Sequence, residues 1–241
     1  MFRRSWSGFL LSLVFILFAY SSAVADTPVF NSKDGKWYGA INAGITILND
    51  MDVAASASGG GYTLDAAATL SYEDATSFGG AIGYVISDFV RTELELGYQE
   101  MHNDKIDASL TATFTNGDTF AVSGSAKVIG QIDALHVLQN VIFTPLGNKT
   151  LFEMSVTPLV GAGIGFIDWE SEISQVGTLA VTGVTASDTD FLASVMTGLE
   201  YTTSQQLTLA IKYRHVWADT GKNGVEDAEA DNIVANLKIA F

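Results

Sequence analysis

Apolar side chains recur at every second position in eight separate stretches of this chain. A period of two is the mark of a β-strand whose faces meet different surroundings. The cleanest case runs from Val90 to Gln99, where Val90, Thr92, Leu94, Leu96 and Tyr98 alternate with Arg91, Glu93, Glu95, Gly97 and Gln99. The same reading predicts strands over WYGAINAGITIL from Trp37, over Phe78 to Val85, and over Gln131 to Phe143. Further strands are predicted over Phe152 to Phe166, Phe191 to Tyr201, Leu207 to Trp217 and Asp231 to Phe241. In the fourth strand, Leu135, Val137, Val141 and Phe143 share a face with Gln139, whereas the opposite parity would group His136 with Asn140. The first choice misplaces fewer polar groups.

The connections alternate in length. Only four residues, Ile86 to Phe89, part the second strand from the third, which predicts an antiparallel hairpin. Short turns are also expected around Pro145, Gly147 and Asn148, and from Thr202 to Gln206. Between them lie four long segments: Asn49 to Ser77, Met101 to Lys127, Asp168 to Asp190 and Ala218 to Ala230. They read as loops. In the second, Asn116-Gly117 sits midway between two weakly alternating runs and favours a two-residue hairpin turn, so this segment should rise as a ribbon. Two more spanning strands, ten in all, would be the alternative. The flanks from Ala108 to Thr115 and Asp118 to Ser125 carry few large apolar residues, which favours eight. The last strand, Asp231 to Phe241, needs neighbours on both edges or stays a sticky edge, so closure onto the strand at Trp37 is expected.

The apolar face of these strands is assigned outward. Aromatics cluster near the strand ends on that face (Trp37, Tyr84, Tyr98, Phe166, Tyr201, Trp217, Phe241), as in the girdles of a barrel in lipid. Opposite them lie Gly, Ala, Ser, Thr and Asn with scattered charges, which suit a crowded interior. The expected fold is therefore all-β: an eight-stranded antiparallel up-and-down transmembrane β-barrel, with four long extracellular loops and short periplasmic turns.

Composition agrees with a surface that does not meet water everywhere. Charged residues make up 16% of the 241 residues and hydrophobic ones 48%, against about 25% charged in an ordinary soluble domain. At the amino terminus, Arg3 and Arg4 precede an apolar run from Phe9 to Tyr20 and the small-residue site Ala23-Val24-Ala25. That pattern predicts a cleaved signal peptide over residues 1–25 and a barrel domain over 26–241. The run is too short for a membrane-spanning helix, which needs about 20 residues. There is no cysteine, so no disulfide supports the exported chain.

The formal charge is −15, and losing the two arginines of the leader makes the expected mature chain more acidic still. Nucleic acid is excluded as a partner, because phosphate binding requires a basic footprint. The interior positions contribute Arg91, Lys212, Arg214 and Lys238 against Glu93, Glu95, Glu153 and Glu200, a balanced polar network. The acidity therefore belongs to the long segments. Together with Glu100 and Asp231 at their rims, these hold nineteen acids, opposed only by Lys105, Lys127 and Lys222.

With WYGAINAGI, RTELELGY, TPLVGAGIGF, LTLAIKYR and the terminal NLKIAF in view, the chain resembles the eight-stranded outer-membrane β-barrel family. That family includes outer membrane protein A and the opacity and small surface-antigen proteins. The resemblance covers the expected mature chain and departs from the family pattern at Leu159, where an aromatic commonly follows the proline, and in the longer second loop. It implies the outer membrane of a Gram-negative bacterium, with outer-membrane lipids and lipopolysaccharide around the wall. It further implies that Ile233, Ala235, Leu237, Ile239 and Phe241 form the signal read by the barrel assembly machinery.

Catalytic and cofactor motifs fall away. Gly161 to Phe166 imitates a dinucleotide loop but lacks its last glycine and lies within a strand, where alternate interior glycines account for it. The segment Asp219 to Glu229 does not match calcium-loop spacing. His102, His136 and His215 are far apart, with no evident Ser or acid constellation and no metal-ligand spacing. A monomeric, non-enzymatic barrel without cofactor or metal is expected. Its acidic loops would serve adhesion or act as a surface antigen facing a host or environmental ligand; a narrow ion channel is the alternative, and a barrel-borne enzyme a distant third.

Overall fold

A computed structural model describes residues 37–146, 155–204, 206–219 and 227–241. The expected signal segment 1–25, Glu153 and most of the fourth long segment lie outside these residues. The described residues form nine strands: β1 (Trp37–Leu48), β2 (Met51–Gly59), β3 (Tyr62–Val85), β4 (Val90–Phe114), β5 (Thr119–Phe143), β6 (Val156–Val176), β7 (Leu179–Thr202), β8 (Leu207–Ala218) and β9 (Ala228–Ala240). All neighbouring pairs are antiparallel, and β1 pairs both with β9 and with β3. The hydrogen bonding thus runs round a ring of eight positions, and the carboxy-terminal strand closes it against the first.

The ninth strand does not widen the ring. β1 pairs Ile45 with Thr76, and β2 pairs Met51 with Leu70, six residues on along one strand and six back along the other. β2 therefore continues β1 in unbroken register against β3, above it in the same position. Its hairpin with β3 turns on Gly60 and Gly61, both at positive φ (60° and 86°), a conformation that glycine adopts without steric cost.

The first three long segments are paired strands, the first and third in place of the expected loops and the second as the expected ribbon. β4 and β5 stay hydrogen-bonded up to Thr113 and Thr119 and turn at Asn116-Gly117, with Gly117 at φ 88° and the Asn116 side chain accepting from the Asp118 amide. This is the ribbon the Asn-Gly pair predicts, and its flanks are the upper halves of two wall strands, not an additional spanning pair. β6 and β7 likewise continue to Val176 and Leu179, and β2 with upper β3 replaces the first loop. Alternation among Ala, Ser and Thr has little hydropathy contrast, so these strands are hard to see in sequence.

At the other end the turns after β3 and β7 share a device, while the turn expected around Gly147 and Asn148 lies mostly outside the described residues. Ser87 Oγ accepts the amides of Phe89 and Val90, and Ser204 Oγ accepts those of Gln206 and Leu207. Outward positions follow the predicted parity: Ile41, Phe78, Leu94, Leu135, Ile164, Val195, Ile211 and Ile233 are all exposed. Gln139 is indeed outward, and its amide donates to Thr92 Oγ1 and to the Glu93 carbonyl, which ties its NH2 group back to the wall.

Candidate functional site: the bore and the ribbon end

The bore is narrow because glycine lines it at the crowded positions. A Cβ on Gly165 would lie 1.8 Å from the Val137 carbonyl oxygen, and one on Gly97 would lie 2.4 Å from the His136 ring. The small side chains leave space that long charged ones fill from the facing wall.

In the ring order, β4 lies opposite β8. Four antiparallel steps separate them, so the two strands run in the same direction. Residues two apart on β4 therefore meet residues two apart on β8 at successive heights. Lys212 Nζ donates to Glu93 at 3.2 Å. One step higher, the Arg214 guanidinium clasps Glu95 at 2.9 and 2.6 Å, with Asn140 Nδ2 adding a third bond to that carboxylate. Such bidentate pairs hold both position and orientation.

Around the lower rung, Glu93 accepts Tyr38 Oη at 2.7 Å and faces Lys238 Nζ at 3.0 Å. Glu200 on β7 joins Arg91 and Lys238. Arg91, Glu93, Glu200, Lys212, Lys238 and Tyr38 thus form one cluster, and Glu95, Arg214 and Asn140 a second above it. Seven of the eight charged residues expected in the interior are placed there; the eighth, Glu153, is not described. The void beside the upper cluster, between Asn42, Gln99, His136 and Asn232, is about 40 Å³. That exceeds the roughly 10–15 Å³ a cavity needs to hold a water.

Several interior members escape strand-by-strand reading. Tyr38, Asn42, Thr46, Asn140 and Asn236 are buried polar residues, and Thr46 bonds Asn232 while Asn236 bonds Asn42. Each has the inward parity, so alternation pointed to them; Asn236 is expected beside Lys238 in the network, whereas the other neutral side chains do not announce one. Asp190, counted with the acids of the third loop, is buried and accepts Trp169 Nε1 at 2.7 Å. Each histidine has an acid beside it: Glu100, two residues away on the same strand, lies 3.5 Å from His102, and strand pairing brings Glu95 within 3.8 Å of His136 and Asp231 within 2.7 Å of His215.

Toward the ribbon end, Asp168, Glu170 and Glu172 stand exposed on one face of β6, and Asp168 accepts Thr189 Oγ1 from β7. Asp52, Asp65 and Asp107 share a face of the β2–β5 ribbon, where Ser and Thr hydroxyls bond them. Among the described residues, no group of three or more His, Cys, Asp or Glu is placed to hold a metal ion.

Residues 9–241 match the family model described as outer membrane protein beta-barrel domain. Comparison with curated proteins finds no match. Among solved structures, Neisserial surface protein A is similar at 15% identity and TM-score 0.43, covering 85% of this chain and 97% of that one. The outer membrane protein OprG from Pseudomonas aeruginosa is similar at 12% identity and TM-score 0.44, covering 89% and 99%. The outer membrane protease OmpT from Escherichia coli follows at 11% identity and TM-score 0.38, covering 90% and 100%.

Proposed function

The chain belongs to the outer membrane protein beta-barrel domain family, and from that premise we propose that it is a non-enzymatic surface protein of a Gram-negative outer membrane. The barrel is a sealed anchor, and the acidic ribbon end is the surface that meets a basic host or environmental ligand. The observation that carries this reading is the double rung across the bore, Glu93 with Lys212 and Glu95 with Arg214. An eight-stranded barrel has an interior just wide enough for side chains to fill. Here those side chains are locked to one another, which leaves the projecting strands as the part free to act.

The ligand class follows from charge. An acidic field attracts cationic surfaces and accelerates their encounter, and salt weakens it over a Debye length of about 8 Å at physiological ionic strength. The test is adhesion of cells bearing the full chain, compared with cells bearing a chain from which residues 169–188 are replaced by a short turn. Loss of adhesion on deletion, and weaker adhesion of the full chain at high salt, are expected. Unchanged adhesion after deletion overturns the reading. The channel alternative is tested by single-channel recording on the purified, refolded protein. A silent bilayer is expected; a sustained conductance that Glu95→Ala or Arg214→Ala enlarges would make the bore a regulated path for small ions.

A further inference from the structure

The upper parts of β2, β3, β4 and β5 (residues 51–59, 62–70, 105–114 and 119–127) form a four-stranded sheet beyond the wall. Cross-strand partners share a face, so the register sorts its side chains. Asp52, Thr69, Asp107 and Ser125 align across the sheet, as do Ala54, Ala67, Ser109 and Ser123. This face is polar and made mostly of small residues. On the other face every residue is apolar, from Val53 and Leu64 through Leu110 and Phe114 to Phe120 and Val122, and the one polar atom is the Tyr62 hydroxyl.

The apolar face continues the outer side of the wall. β2 keeps the register of β1, and the β3–β4 ladder resumes its register after two opposed shifts, with Thr76 on Glu100 below and Ser71 on Lys105 above. β5 takes one extra residue between Gln131 and Lys127, so its outward parity changes there from odd to even. Phe120 is 62% exposed and Val122 51%. Yet this face does not stand in hydrocarbon. A strand crosses the apolar layer in about 9–11 residues, whereas β3 has 24 and β4 has 25. A polar belt of Glu100, His102, Gln131 and Asp133 intervenes, with Asp133 accepting from Tyr98 and Gln131.

We propose that this face packs against the same face of a second copy of the chain. Two barrels in one membrane share orientation and height, so a half-turn about the membrane normal sets like face against like face, the geometry of a closed isologous dimer. Four strands about 4.8 Å apart and nine positions about 3.3 Å apart give a footprint near 570 Å² on each partner. The total, about 1,100 Å², passes the roughly 1,000 Å² that a specific interface requires. Charge permits it as well: in a chain this acidic, Asp52, Asp65 and Asp107 point away from the contact. This goes beyond the surface role above, and it replaces the expectation of a monomer.

The chain has no cysteine, so introduced thiols report alone. Leu110→Cys and Ser109→Cys place neighbouring thiols on opposite faces of one strand. In the full mature chain inserted in membranes, mild oxidation is expected to link Leu110→Cys into a dimer at least tenfold more than Ser109→Cys. Phe120→Asp should shift the mass of the otherwise unaltered protein in lipid discs from two copies to one, with its heat-modifiable electrophoretic mobility confirming that the barrel is folded. Equal linking at both positions, or one copy per disc for the unsubstituted chain, overturns the proposal. In the second outcome the face would be covered by lipid or left bare. Neither result depends on ligand adhesion, so the dimer and the surface role fail separately.

Discussion

At the scale of the residue, the bore is the most constrained region, because each charge there is satisfied by a partner from across the ring. Removing one member of a buried pair leaves the other uncompensated, at a cost of about 3–5 kcal/mol. Glu93→Ala strands Lys212 and leaves Lys238 with Glu200 alone, and it should lower unfolding stability in urea by that amount. Adding Lys212→Met should recover part of it, since the second substitution removes one orphaned charge. The glycines give a paired prediction. Gly165→Ala forces a Cβ onto the Val137 carbonyl and should cost about 1–3 kcal/mol, whereas Gly124→Ala, with nothing within 4 Å of the added carbon, should change stability by less than about 0.5 kcal/mol. Thermal unfolding of the two variants side by side checks this.

At the scale of the element, the ribbons are held by their ladders and by side-chain pairs on exposed faces. In the β4–β5 ribbon, hydrogen bonds from Lys105 and Ser125 hold the Asp107 carboxyl below its usual range, and the same contact raises Lys105. A carboxylate whose folded pKa is depressed contributes stability above its unfolded pKa and loses it as pH falls through the folded value. Amide protection in residues 105–127 should therefore decline on acidification below the ordinary Asp range, about 3.9. Asp107→Asn should remove that pH dependence while lowering protection at neutral pH. Hydrogen exchange across a pH series distinguishes the two effects. Fully exposed, the pair is screened by salt, so high ionic strength should mute the contrast.

At the scale of the whole molecule, closure depends on β9, which lies between β8 and β1. Phe241 itself lies past the strand end, exposed, with its amide donating to the Trp37 carbonyl. Its ring adds little to the finished packing. Deletion of Phe241 should accordingly reduce the yield of protein reaching the outer membrane far more than it lowers the unfolding midpoint of the fraction that does. A normal yield would remove the assembly role carried by the family resemblance. The apolar sheet on β2–β5 belongs to this scale too, because only the joint register of four strands gathers its residues on one face.

The sequence alone carries the two-faced character of the wall strands, the outward side of each, and the short turns after β3 and β7. Those properties are local: a strand reverses its side-chain direction at every residue, so contact with lipid on one side and a filled bore on the other writes a period of two wherever the contrast in polarity is large. Even Gln139 could be placed, since its neighbours fixed the parity. The tertiary structure alone decided that Glu93 meets Lys212 and Glu95 meets Arg214, that β2 continues β1, that Asp190 is buried and that His215 has Asp231 beside it. These depend on stagger and closure, which no single strand encodes. It also revealed the apolar sheet, whose strands alternate Ala with Ser or Thr so faintly that β2 and upper β3 read as loop and only the Asn116-Gly117 ribbon is expected. Only their common register adds those small contrasts into a surface.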